Sequence, residues 1–197
     1  MKTPRAASDA LPTLAFPTPR AWADWLDVHH GDSTGVWLRL AKKGCSLELI
    51  NHREALEEAL CYGWIDGQLR PESDTSWLVK FTPRRETSIW SKINREKATA
   101  LIESGRMQLA GLREVERART DGRWEAAYDS FSKATVPVDL QTALDRNARA
   151  KGFFATLDRA NRYAVLWRVQ TAKRPETRAR RIRDFVAMLS RHEKLHP

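Results

Sequence analysis

Residues 61–90 read CYGWIDGQLRPESDTSWLVKFTPRRETSIW, and the fold follows from how they are parsed. Gly63 ends a helical pattern, and Trp64-Ile65-Asp66 begins an extended one. Gly67, Pro71, Glu72, Ser73 and Asp74 supply turn chemistry. Trp77, Val79 and Phe81 alternate with Leu78, Lys80 and Thr82, the period of a strand, and Pro83 stops it. The stretch is therefore expected to be a hairpin. Ile65 and Leu69 fall on one face with Gly67, and Trp64, Asp66 and Gln68 on the other. If Trp77, Val79 and Phe81 join Ile65 in the core, Lys80 shares the Asp66 face.

Upstream, Met1 to Pro17 is rich in Pro, Ala, Thr and Ser and reads as a loose arm. Thr18-Pro19 is a helix start, with Thr18 as cap and Pro19 in the first turn, where a missing N–H matters little. Trp22, Trp25, Leu26 and His29 follow at helical spacing. Val36, Leu38 and Leu40 alternate with Trp37, Arg39 and Ala41, as in a strand. Ser46 to Ile50 reads as a further short strand. Asn51 and Glu54 have the spacing of a capping box, opening a helix with Ala55, Leu56, Ala59 and Leu60 inward.

Downstream, the pattern is helical. Trp90, Ile93, Leu101 and Ile102 mark one helix. Leu109, Leu112, Val115 and Ala118 mark the inner face of another, and Trp124 with Tyr128 a short helical piece. Further helices begin at Pro137, before Phe153, at Asn161 as a cap, and at Pro175. Strands first and helices afterwards argue for an α+β fold, with a small, mostly antiparallel sheet and a helical C-terminal module. The expected division is an arm over 1–17, an α+β part over 18–132 and a helical module over 133–197, the last two sharing one core.

Composition narrows the function classes. The apolar fraction of 42% and eight tryptophans exclude a disordered chain. The formal charge of +9 admits a nucleic acid, an anionic surface or an acidic protein as partner. Eight Lys/Arg against three Asp/Glu lie between Lys173 and Pro197, so more than half of the excess sits there. Cys45 and Cys61 lack zinc or redox spacing. The N-terminus has no apolar export segment and no window approaches a membrane span, so a cytoplasmic location is expected.

No nucleophile motif, phosphate loop, dinucleotide fingerprint or metal set stands out, so neither an enzyme nor a cofactor is expected. The candidate site is a mixed aromatic and charged surface, formed by Trp37, Trp64, Asp66 and Lys80 and flanked by Arg84 and Trp90. The competing reading is that a helix covers this face and Asp66 pairs with Lys80 or an arginine. A second candidate surface is the basic last helix, with Lys173, Arg174, Arg178 and Arg181 placed to meet phosphates.

GWIDGQ, FTPRRETSIWSKINREKATALIESGRM, DGRWEAAYD and the C-terminal VPVDLQTAL and FFATLDRANRYAVLWRVQTAKRPETRARRI together resemble the YdeI/OmpD-associated family of bacteriocin-protection proteins. That resemblance spans about Trp37 to Leu189. It implies a role in protection against bacteriocins or cationic antimicrobial peptides, with an envelope or porin-linked protein or a small ligand as partner, and no catalytic residues.

Overall fold

The computed structural model describes residues 11–129 and 134–196. The chain divides into two compact units, one running through Ile89 and including Asn94–Glu125, the other combining Trp90–Ile93 with the residues from Ala126 onward.

The first unit is built on a four-stranded sheet of β1 (Thr13–Ala15), β2 (Val36–Ala41), β3 (Trp64–Pro71) and β4 (Ser76–Pro83), in the order β1-β2-β4-β3. β1 pairs parallel to β2, and the other pairings are antiparallel. Thr13–Ala15 thus adds a strand where composition suggested only an arm. Residues 46–50 form no strand; Ile50 N instead donates to Phe16 O at 3.1 Å.

Helices α1 (Pro19–His29) and α2 (His52–Cys61) supply the core of this unit. Both start as their caps dictate. Thr18 Oγ accepts from Ala21 N at 3.2 Å. Asn51 and Glu54 close both halves of the capping box, at 3.1 and 3.0 Å. Trp22, from α1, meets Phe81 and Trp64 edge-on, with ring centroids 5.9 and 6.3 Å apart. Both buried indoles have their N–H satisfied: Trp22 Nε1 donates to Ala55 O, and Trp64 Nε1 to His30 O, each at 3.1 Å. An indole buried without such a partner would forfeit its hydrogen bond to water.

α3 (Lys92–Glu103) and α4 (Leu109–Thr120) follow. Gly63, at φ +74°, ends α2. A Cβ on Gly111 would lie 2.4 Å from Cys61 O and 2.7 Å from Leu60 O, so α4 packs backbone-close on the end of α2. Val115 and Ala118 point inward as the spacing predicts, but Leu109, in the first turn, is 72% exposed. Trp124 and Tyr128 do not form a helix. The segment is a series of turns, and Arg123 is held there by Asp121 and by Ser88 O at 2.6 Å.

The second unit contains α5 (Val138–Asp145), α6 (Ala148–Thr156), α7 (Arg159–Gln170) and α8 (Pro175–Ser190) around a core that includes Leu140, Leu144, Phe154, Leu166, Ile182 and Leu189. Asp158, not Asn161, caps α7, its Oδ1 accepting from Asn161 N at 2.8 Å. Asn161 is instead a buried clamp on the chain end. Its Oδ1 accepts from Leu195 N and His196 N at 3.1 and 2.9 Å, while its Nδ2 donates to Asp158 and to His196 O. The fold is α+β, with the helical module last.

Candidate functional site

The register of the hairpin settles which side chains share a face. Asp66 lies opposite Phe81, and Trp64 opposite Pro83. Val36, Leu38 and Leu40 lie opposite Phe81, Val79 and Trp77. Trp64 and Asp66 therefore belong to the face covered by α1 and α2, not to the Lys80 face as the alternation of β3 suggested. Two physical reasons explain the error. The large Trp64 ring takes the core position, fully buried, and leaves Ile65 half-buried on the other side. A register shift between Asp66 and Leu69 then changes parity, so that Leu69 lies opposite Val79.

The remaining sequence-predicted ligand residues scatter. Trp37 and Lys80 do face each other across β2 and β4 on the opposite side of the sheet. There, however, the Arg70 guanidinium lies 4.0 Å from the centre of the Trp37 ring and helps to close it off. Arg39 makes a two-pronged pair with Glu72 at 2.7 and 2.6 Å. That hydrogen-bonded pairing holds the Glu72 carboxyl below its ordinary range. Arg84 is buried, its Nη1 donating to Ile89 O at 3.3 Å. Trp90 belongs to the second unit, where its carbonyl accepts from Tyr128 N at 3.0 Å. Within the first unit, Trp64 and Asp66 thus lie on one face of the sheet and Trp37 and Lys80 on the other.

Asp66 nevertheless leads to a site. Its Oδ2 is 3.0 Å from Nε2 of His52, the first residue of α2. The His52 ring packs 5.7 Å from Trp77 and 6.5 Å from Phe81. On its other side, His52 lines a recess of about 670 Å³. Trp77, Leu47 and Leu49 make the apolar wall, and Lys42, Lys43 and Cys45 of the turn after β2 complete the rim with Asn51. This volume lies within the range of small-molecule sites, as does the mixture of apolar wall with a few fixed polar groups. Asp66 orients the imidazole without lining the recess itself.

A second recess, of about 490 Å³, lies where α1 and α2 meet the start of α4 and is lined by Arg20, Asp24, Asp27, Glu58, Tyr62 and Arg106 among others. Both of its arginines are paired internally. Arg20 pairs with Asp24 at 2.7 Å and Arg106 with Glu58 at 2.5 Å. Burial pushes the Cys61 thiol there up to about 12, and Tyr62, also buried and beside Asp27, up to about 12. A thiol so raised is inert at neutral pH.

In the second unit, two of the four predicted phosphate-contacting residues are spent on the fold. Arg178 makes a two-pronged pair with Asp139 at 2.6 and 2.9 Å and donates to Val169 O at 2.8 Å. Arg181 donates to Arg168 O. Both arginines thus donate to carbonyls in the last turn of α7, where the intrahelical ladder runs out. Lys173 and Arg174 are exposed.

Sequence reasoning missed Trp77, Lys42, Lys43, Cys45 and His52 as site residues. The one local signal was the capping box, which fixes where His52 starts α2. Nothing in the residues shows that the turn after β2 folds over that helix start.

Among the described residues no helix is long and apolar enough to cross a membrane. No curated protein and no solved structure matches the chain. Two family models do. Residues 133–192 match the bacteriocin-protection, YdeI or OmpD-associated family, while residues 14–114 match a separate domain of unknown function, DUF8412. The sheet half, with its GWIDGQ motif, is therefore matched by a model of its own. By a match over more than half its length the chain belongs to the DUF8412 family, and it carries after that domain one of the bacteriocin-protection, YdeI or OmpD-associated type.

Proposed function

We propose that this is a non-enzymatic protection factor that acts in the cytoplasm by capturing a small ligand in the recess between the β2 turn and the start of α2. The observation that carries this reading is the recess itself, with Trp77, Leu47 and Leu49 on its wall and the His52 ring held in place by Asp66. Support for binding rather than turnover comes from Cys45. A His–Asp pair beside a thiol is the usual start of a nucleophilic triad. Here the Cys45 thiol donates to Lys42 O and Thr75 O, at 2.8 and 3.2 Å, so its hydrogen is directed at backbone carbonyls.

The test is survival of a bacteriocin-sensitive strain expressing the protein. Wild type is expected to protect, while Trp77→Ala and Leu47→Gln lose most of the protection. Leu47 is exposed, so its substitution leaves folding intact. Protection unchanged in a folded Leu47→Gln variant rejects the recess, and no protection by wild type rejects the protective role.

A second reading has its own observation. Residues 133–192 hold fourteen Lys/Arg against five Asp/Glu, equal to the formal excess of the whole chain. Such a module suits a polyanion, nucleic acid above all, through Lys173 and Arg174. The same charge opposes direct capture of a cationic peptide by this module.

A further inference from the structure

We infer that the recess beside His52 takes an organic monoanion: a flat apolar body carrying one carboxylate or sulfonate. The inference rests on the recess being a binding site and adds the charge of its occupant.

The lining of the recess is one-sided in charge. Lys42 and Lys43 contribute two cations, and no carboxylate lines it. Three nearby carboxylates are committed or turned elsewhere. Asp66 is held against His52 Nε2. Glu54 accepts from Asn51 N in the capping box. Glu48 is exposed and does not line the recess, although Leu47 and Leu49 on either side of it do. Lys42 Nζ donates to Ser73 O at 2.6 Å, a neutral partner, and the exposed Asp74 that follows Ser73 does not line the recess. Lys43 has no carboxylate within ion-pair distance among the described residues and sits beside Gly44 on an open turn. The second recess of this unit differs, because Asp24, Asp27 and Glu58 outnumber its two arginines. A ligand there gains little by being anionic. A ligand beside Lys42 and Lys43 gains a Coulombic attraction that water and carbonyl oxygens only partly replace.

The rest of the lining sets the shape of the occupant. Trp77 and His52 present two rings tilted 40° to one another, and Leu47 and Leu49 extend the wall. Flat aromatic bodies stack on such rings. The anionic group then lies at the rim, where the lysines are, with the apolar body inward.

Paired probes separate the two levels of this reading. 1-Naphthaleneacetate and its neutral amide have nearly the same shape and differ in charge. Binding to the full chain is followed by calorimetry at low salt. The acid is expected to bind about tenfold more tightly than the amide, with the preference shrinking as salt is added. In Lys42→Ala/Lys43→Ala the ratio of acid to amide affinity is expected to fall to about one. Equal binding of acid and amide to wild type overturns the inference and leaves the recess as a site for neutral ligands. So does a preference that survives loss of both lysines. Binding of neither probe overturns the inference and the recess reading together. Trp77→Ala is expected to weaken both probes alike, and a loss confined to the acid contradicts the assignment of the apolar wall.

Discussion

The two matched regions bury their interiors by different chemistry. Residues 14–114 carry fourteen Lys/Arg and fourteen Asp/Glu, and six of the eight tryptophans. Their core includes the indoles of Trp22 and Trp64, packed edge to face, each N–H tied to a backbone carbonyl. Residues 133–192 hold one tryptophan and the whole formal charge excess. Their core is mainly aliphatic, and arginines finish the helix ends. The contrast teaches that cationic composition overstates free charge. A guanidinium that caps a helix or grips Asp139 is part of the architecture and only partly available to a partner.

The sharpest break between the regions is expected from one substitution made twice. Mid-helix glycine to alanine ordinarily stabilises by about 1 kcal/mol. Gly152, in α6 of the second unit, has open space where a Cβ would go. Gly152→Ala should therefore follow that rule. Gly111, in α4 of the first unit, has no such space, since its Cβ would meet the carbonyls of Cys61 and Leu60. Backbone cannot step aside as a side-chain tip can, so Gly111→Ala should destabilise by about 2 kcal/mol or more. Urea midpoints of the two variants against wild type test this, and a Gly111→Ala midpoint no lower than that of wild type refutes the close approach of α4 to α2.

The fold was largely legible in the residues, because caps and periodicities are local. The Thr18 and Asn51 caps, the Gly63 stop and the β4 alternation each depend on a few neighbours, and each stands in the structure. β1 was not legible, since three residues of Thr-Leu-Ala become a strand only through pairing with β2. The site was legible by one residue. Asp66 was marked, but its face was reversed, because a bulge changes strand parity without leaving a sequence mark stronger than Gly67. The recess joins a turn, a helix start and a strand, and no periodicity predicts such a meeting.

A smaller effect tests whether arginine caps carry the helical module. The Arg178 guanidinium, hydrogen-bonded to Asp139, holds that carboxyl below its usual range. The folded state thus binds the Asp139 proton less readily than the unfolded chain does. The stabilisation is present above the unfolded value near 3.8 and is lost as pH falls through the lower folded value. Arg178→Ala should lower stability by about 1–2 kcal/mol at neutral pH. It should also make the acid limb of the stability curve shallower, because Asp139 then keeps only the backbone N–H bonds that lower it. Arg178→Lys should keep part of the charge effect and lose the two-pronged geometry. Equal acid limbs in wild type and Arg178→Ala would show that the Asp139 pair contributes nothing to the module.

The smallest expected effect bears on what charge is left over. If the helical module meets a polyanion, affinity for a short DNA duplex should fall with salt, by a slope of about 0.9 for each phosphate contact. Lys173→Ala/Arg174→Ala should then reduce the slope by about two contacts. Arg181→Ala should leave it nearly unchanged, because that guanidinium is occupied by Arg168 O. Composition alone makes the three residues equivalent, whereas their hydrogen bonding makes them differ, so the slopes discriminate between the two views. Equal losses at all three positions would mean that capping arginines stay open to phosphate. Binding that is absent at low salt, or indifferent to salt, would leave the charge of this module as a solvated surface, and the recess of the sheet region as the place where recognition occurs.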